Sequence, residues 1–255
     1  MNKILIFISF NCFLFFLSNC QESPSRINNL VSSNNDSITT ILIEEFYADT
    51  NIIKKKYYAS KCDSNYYHGW YKEFYRSGNL KKEGFYSFNR REGKHKTYYK
   101  DGQTWKQANF ENGQLNGIQK EFYENGQLLM TGKSINNEND GEWKIFSKQG
   151  YLEITQEWSK GRLDGKFKRY DYKGDIVSEC SYKNHVLHGS CVSYHPNGTV
   201  KAKWNHHKGE PDGEFIEFHD NGRVKAKGSM DKGQEVGTWI YYDRQGEITD
   251  IDEYE

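Results

Sequence analysis

Glycine recurs at 69, 93, 117, 141, 165, 189, 213 and 237, every step being 24 residues. A second glycine series at 78, 102, 126, 150, 174, 198, 222 and 246 follows nine residues behind. A fixed period of this size, held without a slip, marks a repeat architecture. It overrides the one or two globular domains that a length of 255 would otherwise suggest.

With the first glycine of each copy as position zero, position five is Phe74, Tyr98, Phe122, Phe146, Tyr170, Tyr194, Phe218 and Tyr242. Position eleven is aliphatic in every copy except at Thr104, and position seventeen is mostly large and apolar, with Ser134 and His206 as departures. Short runs of aromatic and β-branched residues between Gly- and Asn-bearing turns predict strands joined as hairpins. In three copies the first turn ends in Asn-Gly, at Asn125-Gly126, Asn197-Gly198 and Asn221-Gly222, which suits a two-residue type I′ loop. Pro196 argues instead for a three-residue loop, a type I turn closed by a left-handed glycine. That register pairs position five with position eleven and sets both on one face. A second turn lies near position twenty, where Asn89, Gly113, Asn137 and Gly161 tolerate positive φ.

The fold expected is therefore all-β: an elongated, single-sheet antiparallel meander of eight 24-residue hairpin repeats over residues 69–255, preceded by a degenerate capping repeat over 41–68. In the cap, Glu45-Phe46-Tyr47 aligns with Glu73-Phe74-Tyr75, and Tyr58 with Tyr86. Position-five rings in adjacent copies stand two strands apart, ~9.6 Å, so positions eleven and seventeen are expected to fill the gaps between them.

The pattern G-x-[FW]-x-x-[FY]-x-x-x-G-x-[LIV], followed by a Gly- or Asn-bearing turn, resembles the MORN repeat, and most of all the bacterial variant whose members carry the label of YwqK-type antitoxins. The resemblance implies an extended sheet used for binding or scaffolding, with an antitoxin or immunity protein as the alternative role. It implies no catalytic residues and no cofactor.

Residues 1–19 read as a signal peptide, with a basic start and then an apolar core over Ile4–Leu17. A membrane span needs roughly 20 apolar residues, and this core is shorter. Leu17-Ser18-Asn19-Cys20 resembles a bacterial lipobox, although Asn19 stands where a small residue is usual. Cys20 is the expected lipidation site, and residues 20–40 a polar, Ser- and Asn-rich tether. Gln21 after the cysteine favours an outer-membrane lipoprotein of the bacterial envelope. Lys54–Lys56 in the cap and the acidic last strand suggest charged, protected edges, and their opposite signs would permit head-to-tail association.

Net charge is zero, with 35 basic and 35 acidic residues and no basic tract, which disfavours nucleic acid. Cys180 and Cys191 flank the second turn on adjacent strands; a cross-strand disulfide and a pair of free thiols are both open readings. Six of the eight histidines fall between 185 and 219. His195 and His219 are equivalent positions in neighbouring copies, too far apart to share a metal ion, and no metal site is expected. Position two, with Tyr71, Trp143, Phe167, Phe215 and Trp239, lies opposite position five. If exposed, that stripe would be a surface for a protein partner; otherwise it packs against the next hairpin.

Overall fold

The computed structural model describes residues 40–48, 50–60 and 63–255. The lipidation candidate Cys20, the signal segment, nearly all of the tether and Cys62 lie outside them. Twenty strands run in chain order: β1 Thr40–Phe46, β2 Ile53–Ser60, β3 Asp63–Phe74, β4 Leu80–Ser87, β5 Arg90–Tyr98, β6 Thr104–Glu111, β7 Gln114–Leu115, β8 Gly117–Phe122, β9 Leu128–Ile135, β10 Glu138–Phe146, β11 Leu152–Ser159, β12 Arg162–Tyr170, β13 Ile176–Lys183, β14 Val186–Tyr194, β15 Val200–His207, β16 Glu210–Pro211, β17 Gly213–Phe218, β18 Val224–Asp231, β19 Gln234–Tyr242 and β20 Ile248–Tyr254. Neighbouring strands pair antiparallel along the chain, giving one sheet. Strands β7 and β8 both pair with β6, and β16 and β17 both pair with β15, so each of these two couples fills the place of one strand.

The first turn is the three-residue loop. Tyr75 N–H donates to the Asn79 carbonyl at 2.8 Å, and Gly78 N–H to the Tyr75 carbonyl at 2.9 Å. Gly78 takes the left-handed conformation, φ 89°. The same pair of bonds closes His195–Thr199. Pro196 stands there at the first central position, where its fixed φ fits. Position five consequently pairs with position eleven, as Phe74 with Leu80 and Tyr242 with Ile248. The second turn is the two-residue type I′ loop, which requires positive φ at both central residues. Asn112 (φ 51°) and Gly113 (φ 86°) are one example. Its tip N–H bonds back to the preceding hairpin: Gly113 to the Arg91 carbonyl and Gly161 to the Asn139 carbonyl, each at 2.9 Å.

Between hairpins the ladder is interrupted once per copy. Asp140 pairs with Lys133 and Lys144 with Thr131, so Gly141, Glu142 and Trp143 span the place of Gly132 alone. The looped-out Gly141 has φ 75°. A residue with a side chain rarely adopts that conformation.

Position seventeen departs from expectation. Tyr86 pairs with Gly69, five residues from Phe74, so alternation puts Tyr86 on the face opposite position five. It joins positions two, thirteen and fifteen, and that face holds most of the deepest burial: Phe110, Trp143, Cys191, Ala202, Ala226 and Trp239. The rings at position five are only half-buried. In the cap, Ile41, Ile43, Tyr57 and Ala59 form a core cluster extended by Tyr67 and Tyr71. Ala59, not Tyr58, faces Tyr67 as Tyr86 faces Arg91, so Ala59 is the residue equivalent to Tyr86.

The edges also differ from expectation. Lys55 and Lys56 lie on β2 and are ion-paired to Glu45 and Glu44 of β1, at 3.3 and 2.9 Å. Among the described residues the two outermost strands, β1 and β20, are both acidic. The charge complementarity that head-to-tail association needs is absent from them.

Candidate interaction surface

The position-two stripe is spent on packing. Trp143 lies over Gly132 and donates its indole N–H to the Lys133 carbonyl at 3.1 Å. Trp239 does the same over Gly228, bonding the Ser229 carbonyl at 3.3 Å, and His95 over Gly84, with Nε2 2.8 Å from the Phe85 carbonyl. A missing side chain at position fifteen makes room for a ring from the next hairpin, and Trp143 and Trp239 are left 5% and 3% exposed. Phe215 leans into the same space and meets Trp239 with ring centroids 5.5 Å apart. Phe167 packs on Tyr182 at 5.7 Å, and Tyr71 on Tyr86 at 5.5 Å. Tyr71, Trp143, Phe167, Phe215 and Trp239 are therefore not an exposed binding stripe. Where no ring fills the gap, Cys180 and Cys191 face each other directly and are joined in a disulfide, Cα–Cα 4.1 Å.

Position six is a polar rung. The hydroxyls of Tyr75, Tyr99 and Tyr123 donate to the carbonyls of Tyr98, Phe122 and Phe146, each 23 residues on, at 2.6–2.8 Å. Tyr47 of the cap does the same to Phe74. His195 and His219 take over the role, each with Nε2 2.9 Å from the Phe218 or Tyr242 carbonyl. Two members of the histidine-rich stretch are thus rungs in separate copies.

Single large side chains such as Tyr172 and Tyr151 are exposed in later copies, but the most exposed of the rings that contact further rings lie on the opposite face at the start of the repeats. Trp70 is 57% exposed and Phe88 50%. Tyr66 and His68 meet the Phe88 ring at centroid distances of 6.2 and 4.9 Å, and Phe85 meets Trp70 at 5.7 Å. A shallow depression of about 370 Å³ at Phe88 is lined by Tyr66, Ser87, Phe88, Arg90, Glu92 and Asn112. Phe88 occupies a type I′ position at φ 49°, where the other copies carry Asn112, Asn136, Lys160, Asn184, Lys208 and Lys232. A bulky residue there costs about 1–2 kcal/mol, and its ring does not enter the core.

Sequence reading passes over this patch. The signal is available in the comparison of copies: position one is Trp70 here but Lys94, Glu142, Lys166, Ser190, Glu214 and Thr238 in most others. Large rings at two polar positions of one copy are departures that packing does not require.

The family model described as "MORN repeat variant" matches six segments, 67–87, 91–112, 115–136, 163–184, 187–208 and 211–232, together just over half of the chain. The chain belongs to the MORN repeat variant family. The two unmatched copies, beginning at Gly141 and Gly237, have the same hairpin pairing as the matched ones, and each lays a ring over a glycine as His95 of a matched copy does over Gly84. No curated protein matches the sequence. Among solved structures, a crystal structure of TcdB2-TccC3-Cdc42 is similar at 10% identity and a TM-score of 0.21, over 84% of this chain. The chain spans 15% of that one.

Proposed function

We propose that this repeat scaffold is a non-catalytic binding protein whose aromatic patch at Trp70 and Phe88 docks a protein partner. The observation that carries the reading is Phe88: a large ring held half-exposed at a backbone conformation that disfavours it. Strain of this kind persists where another requirement maintains it. Trp and Tyr with a neighbouring Arg are the residues that dominate protein interfaces. We further propose that the protein is held at the bacterial outer membrane through lipid on Cys20, with the polar segment after it as a tether; the lipobox-like Leu17–Cys20 supports this.

A photo-crosslinking residue in place of Trp70 tests the docking site in cells. The expected result is one discrete adduct that disappears with Phe88→Asn and is not formed from Glu214, the equivalent position of a distant copy. Absence of any adduct, or equal labelling from both positions, would overturn the patch. Incorporation of labelled palmitate that is unchanged by Cys20→Ala would overturn the anchor.

A further inference from the structure

A row of side chains crosses the sheet at right angles to the strands, on the same face as Trp70. Successive cross-strand pairs run Lys72–Glu83–Lys96–Gln107–Lys120–Thr131–Lys144–Thr155–Lys168. The first strand of each of these copies contributes a lysine at position three; the second strands contribute one glutamate, then neutral residues. Glu83 is engaged by the Tyr98 hydroxyl at 2.5 Å. Lys144 is paired with Glu142 at 2.9 Å, and Lys168 with Glu179 at 3.2 Å. Among the described residues, Lys72, Lys96 and Lys120 have no carboxylate within ion-pair distance. Two residues along each strand, and so on the same face, stand the half-buried rings of Phe74, Tyr98, Phe122, Phe146 and Tyr170.

We infer that this row is a track for a linear anionic polysaccharide of the uronate type, carrying one carboxylate per disaccharide. Three features point there. One ammonium per two strands, ~9.6 Å, asks for a ligand whose charge recurs at a single wide interval, which densely sulfated polymers do not have. The flanking rings offer apolar faces to sugar rings, while Gln107 and Thr131 offer hydrogen-bonding groups between the charges. The backbone inside the sheet is committed to the ladder, so an extended peptide crossing the strands would find no main-chain partners, which strand addition requires. The even two-strand spacing of lysines ends at Lys168: Glu179 and Val192 follow it in the row, position three becomes Val192, Ile216 and Ile240 from the sixth copy onward, and the next lysines, Lys203 and Lys227, stand on second strands three and five strands further on. From Lys72 to Lys168 it covers four two-strand steps, ~38 Å.

The test measures binding of fluorescent hyaluronan oligosaccharides to the full chain by anisotropy. Affinity should rise with length up to about five disaccharides, one per lysine, and fall with added salt. Combined Lys72→Gln, Lys96→Gln and Lys120→Gln should weaken binding about tenfold with an unchanged melting transition. The charge-matched control Lys183→Gln, Lys208→Gln and Lys232→Gln should leave binding intact. Equal loss in the control, absence of binding, or preference for poly-glutamate or dextran sulfate over hyaluronan would each overturn the inference. It is independent of the protein-docking patch, whose variants at Trp70 and Phe88 leave these lysines in place.

Discussion

Trp143 covers Gly132 on the adjacent strand so closely that a Cβ added to the glycine would fall among the ring atoms. The pair is a size exchange across two hairpins, repeated by Trp239 with Gly228. Gly132→Ala and Gly228→Ala should each destabilise the protein by about 1–3 kcal/mol, the range for overpacking a filled site. In Gly132→Ala combined with Trp143→Leu, the two effects should fall short of their sum, because the smaller side chain removes the clash; denaturant titration of the four proteins reads the coupling.

The rungs make a quieter prediction. Tyr99→Phe removes the hydroxyl bonded to the Phe122 carbonyl at 2.6 Å. The loss should cost about 1 kcal/mol. Tyr75→Phe and Tyr123→Phe should behave alike. Because the three rungs sit in different copies, their effects should add in the melting or denaturant midpoint.

Acid should loosen the copies that hold partly buried imidazoles, the second with His95 and the sixth with His206. Burial holds the His95 imidazole below its ordinary 6.5, and burial does the same to His206. The folded state refuses a proton that the unfolded chain accepts, so their contribution to stability is complete above 6.5 and is lost as pH falls below it. Denaturation midpoints at pH values above and below that ordinary value should therefore differ. His95→Gln, the residue naturally present at Gln119, should shrink the difference.

In the oxidised protein the Cys180–Cys191 bond closes a loop with a sequence separation of 11. A loop of that length stabilises by about 2–3 kcal/mol in the chain-entropy account. Reductant should lower the denaturation midpoint accordingly, and a Cys180→Ala, Cys191→Ala protein should be insensitive to it.

At the proposed docking patch, stability and binding should move in opposite directions. Phe88→Asn relieves the left-handed strain and should stabilise the fold by about 1 kcal/mol, while weakening capture of the partner by at least tenfold. Trp70→Ala, at an exposed position, should change stability by less than about 0.5 kcal/mol and binding by a comparable factor. A partner affinity unchanged in both proteins would remove the patch from consideration.

Much of this architecture is legible in the bare sequence. The glycine spacing gives the copies, and Pro196 alone selects the three-residue turn, because a proline's φ suits only one of the candidate registers. The interruption at each first glycine is harder to read. Nothing in Gly141-Glu142-Trp143 announces that three residues will span one, yet that bulge lets Trp143 reach across to Gly132. Position fifteen hides for the same reason: Gly84, Gly132 and Gly228 read as weak strand residues until the ring above them is seen. The Trp70–Phe88 patch escapes notice because attention to what all copies share passes over the one copy that departs.

Each second turn gives its tip N–H to the hairpin before it, so no copy closes upon itself. A chain made this way can be lengthened or shortened by duplication or loss of whole 24-residue cassettes. Each cassette adds or subtracts two strands, roughly 9.6 Å of span. No new kind of contact is needed at the splice. Loss of half a cassette would instead exchange the two faces of the sheet for everything downstream. The molecule is in this sense a ruler graduated in genes, whose reach can evolve independently of the stability of its parts.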